Sequence, residues 1–518
     1  MTTTFVGRVF TADPKRPWAQ SVTIDDGQII ALDSAQGLIV KAPGLIVPGF
    51  HDAHIHLLEG SLFDLWVNLH DVPSYSYTGV IAAAAAELPP TAWVRGGGWS
   101  MAAFPGGNPT AGLLDAVTGG RPAYLTARDG HSAWVNSAAL RLAGIEATTA
   151  DPPGGRIERD SSGAPTGTLH ETAMHLVQLP EITAAEWAAA LNVGQQYLHS
   201  LGIVGWQDAR LSTPMLRAYV DAEAEGRLQA RVAAAMHWDP TEGVDQIDGL
   251  VAARELADDN LVRVPTVKIF VDGVVENRTA SLHQPYQCTH SHGAPLFTQE
   301  ALNAAVRMCT IHGFSVHVHA IGDAATTAAL DAFEAAPRAG LRHQICHLQV
   351  VSPSDVDRFA RLDVLANVQA LWACRDEQNV TLCEPALGPS RFEAQYPFGD
   401  LNRAGATLAF GSDWRVSTPD PLAQIEVAMT RQPPGDTVTR ALGPDQRLDL
   451  QTCLTGFTRH AAYAAGMEQH TGSLTVGRDA DIVLLDRDPF AVEPHEVSSV
   501  EVTATYVRGE QVYQRQFA

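Results

Sequence analysis

The sequence HDAHIH, at residues 51–56, ends a predicted strand and carries histidines at two alternate positions, His54 and His56. Side chains two residues apart on a β-strand point to the same face, so both imidazoles can reach one metal ion from the strand end. The pair alone is weak evidence of a metal site, because a chain with 20 histidines contains close pairs by chance. Its meaning therefore depends on the strands that follow it.

Seven more strands are predicted downstream, most of them separated by alanine-rich helical stretches such as 299–312 and 323–336. Strands that alternate with helices are typical of a parallel sheet. The predicted segments are 202–209, 231–238, 264–273, 314–323, 342–351, 364–370 and 407–413. With the strand at 51–56 the count reaches eight, so we predict an α/β fold, a (β/α)8 barrel of the TIM type.

The two chain ends are predicted to be all-β, unlike the middle. Residues 1–48 and 465–518 contain short alternating segments bounded by Gly and Asp, as in Asp26-Gly27 after the run at 21–24. We expect both ends to form one small β-sandwich, with the barrel at 49–464 inserted between its halves; two unrelated β extensions are the alternative. The span from His56 to Gly202 is too long for one βα unit, so an insertion after the first barrel strand, at about 65–195, is predicted to cap the barrel mouth.

Composition sets broad limits on function. The 518 residues carry a net charge of −23, which disfavours nucleic acid and anionic membrane surfaces as partners. The sequence contains no apolar run near the ~20 residues that span a bilayer, and its N-terminus lacks the pattern of a signal peptide. The six cysteines are scattered without a CxxC pair, which fits reduced thiols. We expect a cytoplasmic enzyme that acts on a small molecule, with the oligomeric state open and a homodimer compatible.

Three more candidate metal ligands lie at the C-terminal ends of predicted strands: His319, His347 and Asp413. In (β/α)8 enzymes this end of the barrel carries the chemistry. Several imidazoles with one carboxylate suit Zn²⁺ or a similar divalent ion. The structural alternative for Asp413 is a helix N-cap after the Gly-Ser pair.

Lys268 lies inside the apolar segment TVKIFVDG, residues 266–273. A neutral lysine amine can add CO2 to form a carbamate, whose two oxygens could bridge two metal ions as a carboxylate does. Snorkelling from the strand end, or pairing with Asp272, is the structural alternative. The residue pattern does not favour either interpretation of Lys268.

Several motifs, taken in order, resemble the amidohydrolase superfamily. They are PGFHDAHIHL (48–57), VKIFVDG (267–273), HAIGDAA (319–325), RHQICHLQ (342–349) and GSDW (411–414). Three further stretches resemble its amidohydrolase-3 branch, which includes N-substituted formamide deformylases: RDGHSAWVNSAAL (128–140), GGRIERDSSGAPTGTLHE (154–171) and GSLTVGRDADIVLLD (472–486). The resemblance implies a binuclear site. It places His54, His56, Lys268 as a carbamate, and Asp413 on one metal, and Lys268, His319 and His347 on the other.

Two histidine assignments within this site have competitors. His317 and His319 share a strand face, and His319 carries the HAIGD pattern. His343 and His347 flank the next strand, and His347 fits better because relatives typically have Glu-His-Ala-Gln there. This chain has Cys346 in place of the glutamate, which removes a possible partner of the metal ligands. A cysteine ligand instead of an imidazole is the remaining alternative.

The resemblance also suggests roles in catalysis and substrate binding. Metal binding lowers the pKa of water from 15.7 to about 7, which supplies a nucleophile at neutral pH. Asp413 would take a proton as general base and return it to the departing nitrogen, and His131 would reach over the site or order its own loop. The weaker candidates for substrate binding are Trp99, Arg278 and Trp414.

The leading hypothesis is a metal-dependent amidohydrolase that cleaves a linear C–N amide bond, such as an N-formyl or N-acyl amine. The alternatives are hydrolysis of a cyclic amide, an imide or another C–N bond on the same site, and a non-hydrolytic lyase or isomerase reaction, since one fold hosts many reactions. A catalytically silent metal-binding protein is disfavoured because every proposed ligand position is filled. By resemblance, Lys268 also disfavours the single-metal deaminases of the superfamily, which do without that lysine.

Overall fold

The computed structural model describes residues 1–70, 72–257, 260–337 and 340–516. Its strands in these ranges fall into three sheets: a barrel, a sheet in the insertion, and a sheet that contains strands from both chain ends. None of the helices in the described ranges has the length and apolar character needed to cross a membrane.

The terminal sheet joins the two ends of the chain. Its strands are β1 (Thr3–Phe10), β2 (Trp18–Asp25), β3 (Gln28–Leu32), β4 (Leu38–Lys41) and β5 (Ile46–Pro48), with β20 (Ile482–Leu485), β21 (Val502–Val507) and β22 (Glu510–Gln514). The ends meet where β5 pairs antiparallel with β20, with Val47 opposite Val483. The two ends therefore share one sheet, while its predicted sandwich form stays a prediction.

The barrel sheet contains eight strands whose ladders are all parallel. They are β6 (Phe50–Ile55), β13 (Ile203–Leu211), β14 (Arg231–His237), β15 (Val262–Phe270), β16 (Ser315–Ala320), β17 (Gln344–His347), β18 (Leu365–Val368) and β19 (Leu408–Phe410). Their order in the sheet follows the chain. The first and last strands approach where Asp413 N donates to His54 O at 2.7 Å. The sheet is therefore a nearly closed barrel of the predicted TIM type.

The insertion between β6 and β13 has its own sheet and its own apolar core. Its strands are β7 (Val67–Asn68), β8 (Val94–Trp99), β9 (Ala123–Ala127), β10 (Ser132–Val135), β11 (Gly155–Arg159) and β12 (Pro165–Glu171). Trp99 and Trp134 are fully buried in its core. The turn between β9 and β10 carries His131, and β12 ends at Glu171, so the sheet delivers these two side chains together.

Helices connect the strands. They are α1 (Leu57–Leu62), α2 (Tyr77–Glu87), α3 (Ala111–Asp115), α4 (Ser137–Leu142), α5 (Ala184–Ser200), α6 (Thr213–Ala224), α7 (Ile247–Arg254), α8 (Gln299–Ile311), α9 (Asp323–Ala335), α10 (Pro353–Leu362), α11 (Glu384–Leu387), α12 (Pro389–Glu393), α13 (Phe398–Arg403), α14 (Pro421–Thr430), α15 (Leu450–Thr455) and α16 (Ala461–Ala464). In α8 the buried residues Leu302, Ala305, Val306 and Cys309 recur at helical spacing, so one face of this helix packs inward, where it contacts β16.

Candidate metal centre

Three predicted ligands meet around one carboxylate at the C-terminal end of the barrel. Asp413 Oδ1 lies 3.3 Å from His54 Nε2 and 3.1 Å from His56 Nε2. Its other oxygen, Oδ2, lies 3.9 Å from His347 Nδ1. The strand ends of β6, β17 and β19 thus bring together side chains from distant parts of the chain, from His54 to Asp413.

Four polar atoms in this cluster are buried without a hydrogen-bond partner in the described parts of the chain: His54 Nε2, His56 Nδ1, His347 Nδ1 and Asp413 Oδ1. Leaving such groups unpaired costs about 1–3 kcal/mol each, so native proteins usually satisfy them. The donor atoms of His54, His56 and Asp413 all lie within 4.8 Å of one another. Imidazole nitrogens and a carboxylate oxygen suit a divalent ion such as Zn²⁺. The residues therefore fit a metal.

His319 and Lys268 lie beside this cluster. The ring of His319 lies 4.5 Å from that of His347, and its Nε2 lies 3.2 Å from Gly273 O. Lys268 is fully buried, and its Nζ donates to Cys346 Sγ at 3.0 Å. Burial lowers the pKa of Lys268, which favours the neutral amine that carbamate formation requires.

The pairing of Lys268 with Asp272, an alternative left open by the sequence, is absent from the hydrogen bonds and ion pairs of the described residues. Instead the Asp272 carboxylate accepts backbone amide protons from Ser281, Ile321 and Gly322, at 2.8–3.0 Å. Its oxygens fix the loops that follow β15 and β16. Asp272 therefore stabilises the loops that follow β15 and β16 at this end of the barrel.

The end of β17 departs from regular strand geometry. Successive side chains on a strand point to opposite faces, yet both Cys346 and His347 contact residues of the site. His347 has a φ of 77° and Leu348 a φ of 53°, in the left-handed region. This backbone turn brings the imidazole of His347 to the same end of the barrel as the Cys346 thiol.

Charges within the cluster act on the Asp413 carboxyl. Burial alone would raise its pKa, but the imidazoles of His54 and His56 outweigh burial and hold the pKa well below its usual value. Asp413 is therefore an anion at neutral pH. An ionised oxygen is the form that both metal binding and proton acceptance require.

A layer of polar side chains lies beneath the cluster, inside the barrel. His54 Nδ1 lies 2.9 Å from His317 Nε2, and His317 Nδ1 contacts the amide of Gln207. Gln344 Nε2 donates to Gln207 Oε1 at 3.0 Å, and Asn367 Nδ2 donates to Gln344 Oε1 at 2.9 Å. His317 lies between the His54 ring and the Gln207 amide and contacts both, so it can fix the orientation of the His54 ring. His317 is therefore a positioning residue.

His131 reaches the site from the insertion. Its Nδ1 lies 2.8 Å from Glu171 Oε2, and its ring lies 5.4 Å from the His319 ring. Thr279 Oγ1 donates to Glu171 Oε1 at 2.6 Å, which links the pair to the loop after β15. Burial would lower the pKa of His131, but the Glu171 carboxylate raises it to about 9. A cationic imidazole at this position can bind the oxygen of a substrate.

The three weaker candidates for substrate binding differ in position. Trp99 is fully buried in the core of the insertion, where its Nε1 donates to Leu125 O at 2.8 Å. Arg278 is exposed, and its Nε lies 3.1 Å from Cys288 Sγ. Trp414 follows Asp413 but packs against Tyr197, at 5.5 Å between ring centroids. Strand-end position alone does not predict where a large side chain turns, because packing decides it.

Two side chains outside the predicted set of ligands and substrate-binding residues also contact the site. Trp372, just after β18, stacks on the His347 imidazole at 5.2 Å with an interplanar angle of 12°. Glu171 holds His131. Position at a strand end could have pointed to Trp372, whereas the pairing of Glu171 with His131 depends on how the insertion sheet folds.

An eight-stranded parallel barrel with imidazoles and a carboxylate gathered at its strand ends has the architecture of a metal-dependent hydrolase. Residues 43–513 match the model of Amidohydro_3, an amidohydrolase family. The chain is 31% identical to Protein LONG AFTER FAR-RED 3 of Arabidopsis thaliana, over 98% of this chain and 90% of that protein. It is 27% identical to the N-substituted formamide deformylase of Arthrobacter pascens, over 98% and 97% of the two chains.

Solved structures agree with this fold. The chain is similar to an uncharacterized metal-dependent hydrolase from Pyrococcus horikoshii OT3, with a TM-score of 0.75, 24% identity, and coverage of 95% of this chain and 99% of that one. The chain belongs to the amidohydrolase family. It is a metal-dependent hydrolase that acts on carbon–nitrogen bonds.

Proposed function

We propose that this protein hydrolyses a linear amide of a small molecule, an N-formyl or N-acyl amine, with one or two divalent ions, Zn²⁺ in the first place. His54, His56 and Asp413 would hold one ion. His319 and His347 would hold the second, and Lys268, as a carbamate, would join the two. The observation that carries the proposal is the group of buried, unpartnered donor atoms around Asp413.

A bound divalent ion would polarise the amide carbonyl and make water a nucleophile at neutral pH. Asp413 is placed to accept the proton of the attacking water and to return it to the departing nitrogen, because its carboxylate lies among the ligands and is ionised. His131, held by Glu171, would bind the carbonyl oxygen from the side of the insertion. Trp372 fixes the plane of the His347 ring by stacking.

The choice of a linear amide rests on similarity to a relative whose name states its activity on formamides. The N-substituted formamide deformylase of Arthrobacter pascens aligns over 98% of this chain, so barrel and insertion are both included. At 27% identity the acyl group can differ between the two proteins. Linear formamides are therefore the first substrates to test, and longer N-acyl amines the second.

A hydrolysis screen tests the proposal. Zinc-reconstituted protein is incubated with N-formyl amines, N-acyl amines, cyclic amides and imides, and simple esters, and free amine or ring opening is measured. We expect amine release from a linear amide, its loss after chelation, and its return on adding zinc. Turnover of cyclic compounds alone would favour the cyclic-amide alternative, and no turnover by fully metal-loaded protein would contradict both.

The Lys268 carbamate needs its own experiment. Metal-loaded protein equilibrated with ¹³C-bicarbonate should show a carbamate carbon resonance. The resonance should be missing from Lys268→Arg, whose side chain stays protonated and so cannot add CO2, and should remain in Lys41→Arg, at an exposed lysine. Equal spectra from wild type and Lys268→Arg would rule the carbamate out.

A further inference from the structure

Cys346 occupies a position from which its sulfur faces the site. Its Sγ and the donor atoms of His54 and His347 all lie within 4.8 Å of one another, and all three residues are buried. This group is a second candidate set besides His54, His56 and Asp413. His54 belongs to both sets, so the two sets adjoin each other.

The imidazoles provide independent support for a ligand at this point. His54 Nε2 and His347 Nδ1 have no hydrogen-bond partner among the described residues, although His54 is 1% and His347 2% exposed. A buried thiol that merely fills space is usually surrounded by apolar groups. Cys346 Sγ instead contacts two polar groups: Lys268 Nζ donates to it at 3.0 Å, and its own S–H donates to Val318 O at 3.2 Å.

We propose that Cys346 Sγ is a metal ligand in this protein, forming with His54 and His347 a sulfur-containing site for a borderline-soft divalent ion, Zn²⁺ or Co²⁺. In this arrangement His54 and His347 share one ion and are not divided between two. Thiolate with imidazole is a donor set that such ions prefer. The inference rests on the metal site of the proposed function but not on its substrate. On binding, the S–H bond is replaced by a sulfur–metal bond and the proton leaves to solvent water.

Lys268 is compatible with this role in either of its forms. A lysine amine and a lysine carbamate both keep at least one hydrogen on Nζ. The hydrogen bond from Nζ to Cys346 Sγ can therefore persist when the sulfur is a thiolate, and a charged acceptor strengthens it. Cys346 and Lys268 would then act together, one as ligand and the other as its hydrogen-bond donor.

The test is spectroscopic. Protein stripped of metal is titrated with Co²⁺, and the near-ultraviolet thiolate-to-cobalt charge-transfer band is recorded. We expect the band in wild type and in Cys309→Ser, a matched control at a buried free cysteine on α8. We expect it to be lost in Cys346→Ser, together with a fall in zinc affinity of roughly 10- to 100-fold or more. Circular dichroism and thermal unfolding show whether each variant is folded.

Two results would overturn the inference: wild type that binds Co²⁺ without the band, or a band that survives in folded Cys346→Ser. If Cys346→Ser does not fold, X-ray absorption of zinc-loaded wild type decides, because one sulfur neighbour is expected and nitrogen and oxygen neighbours alone would contradict it. Amide hydrolysis is measured in parallel. Hydrolysis without sulfur ligation would contradict the role of Cys346 and support the proposed function. Sulfur ligation without hydrolysis would support the role of Cys346 and contradict the proposed function.

Discussion

Two polar layers lie inside the same barrel and differ in how their polar atoms are paired. In the lower layer the side-chain amides of Gln207, Gln344 and Asn367 bond to one another at 2.9–3.0 Å, and all three are fully buried. In the upper layer His347 and Asp413 are almost as buried, yet each keeps one atom without a hydrogen-bond partner in the part of the chain that the structure describes. His317 joins the layers through His54.

This difference in pairing distinguishes polar groups that stabilise the fold from polar groups that can bind a ligand. A buried polar group that is satisfied by its neighbours stabilises one arrangement of the core, whereas one that is left unpaired costs free energy unless a ligand completes it. The lower layer therefore keeps the strands in register, and the upper layer is built to bind. Four variants, from the largest expected effect to the smallest, test this distinction.

Asp413→Asn should abolish most activity. The amide keeps the shape of the carboxylate but neither accepts a proton nor carries charge, so kcat should fall by about 10²–10⁴-fold. Steady-state hydrolysis of the best substrate measures the effect, with Asp445→Asn as control at an exposed carboxylate. Activity within tenfold of wild type would show that the upper layer does not use this carboxylate for catalysis.

His317→Asn should weaken metal binding without removing a metal ligand. Asparagine is too short to reach His54 Nδ1, so the His54 ring loses the partner that fixes its orientation, and zinc affinity should fall by roughly 10- to 100-fold. Competition with a chelator measures it. His343→Asn is the matched control, because His343 stacks on Phe333, at 4.7 Å, away from the cluster. Unchanged zinc affinity in His317→Asn would show that His317 does not contribute to metal binding by His54.

Gln344→Met should lower stability and leave metal stoichiometry unchanged. The substitution keeps the length of the side chain but leaves Gln207 Oε1 without its donor, at a cost of about 1–3 kcal/mol. Thermal unfolding of the metal-loaded protein, beside Gln451→Met at an exposed position, measures the loss. If Gln344→Met instead loses metal at wild-type stability, the lower layer belongs to the site.

Glu171→Gln should have the smallest effect, and one that depends on pH. The pKa of His131 is raised from 6.5 to about 9, so its pairing with Glu171 stabilises the fold fully below about pH 6.5, and this contribution is lost as the pH rises through 9. The pKa of Glu171 is lowered, so its contribution is lost only toward acid. Glu171→Gln should lower the free energy of unfolding by roughly 1 kcal/mol. The resulting difference in Tm from wild type should therefore narrow above about pH 9.

The same pH series on Glu181→Gln, at an exposed glutamate, provides the baseline. A Tm difference for Glu171→Gln that stays constant across this pH range would show that the charge on His131 does not contribute to stability. It would also remove the reason for regarding His131 as a cation at the barrel mouth.

The barrel itself could be predicted from the sequence. Seven segments of strand character separated by helical stretches, added to the strand at 51–56, predict eight barrel strands, and the described residues form a barrel sheet of eight, in chain order. The pattern is readable because strand and helix periods are local properties of the backbone. The same local rule placed His54 and His56 on one strand face, and the order of the motifs indicated the family.

Other features depended on contacts between distant segments. The six strands that the described residues of the insertion form were not predicted individually, because each is short and paired only through the fold. Trp99 looked like a pocket residue but packs inside the insertion, and Arg278 lies exposed. Rotamer and packing decide such outcomes, and neither is encoded in spacing.

The sequence by itself thus determined which side chains come to the C-terminal end of the barrel, since strand order and alternation are fixed locally. Only the tertiary structure decided which of their atoms are paired. The contact of Lys268 with Cys346 and the contact of His54 with His317 join strands that are far apart in the chain. The left-handed backbone at His347 turns its imidazole toward the same group of side chains. These contacts exist because the barrel nearly closes, which brings strand ends from opposite parts of the sequence within hydrogen-bonding distance.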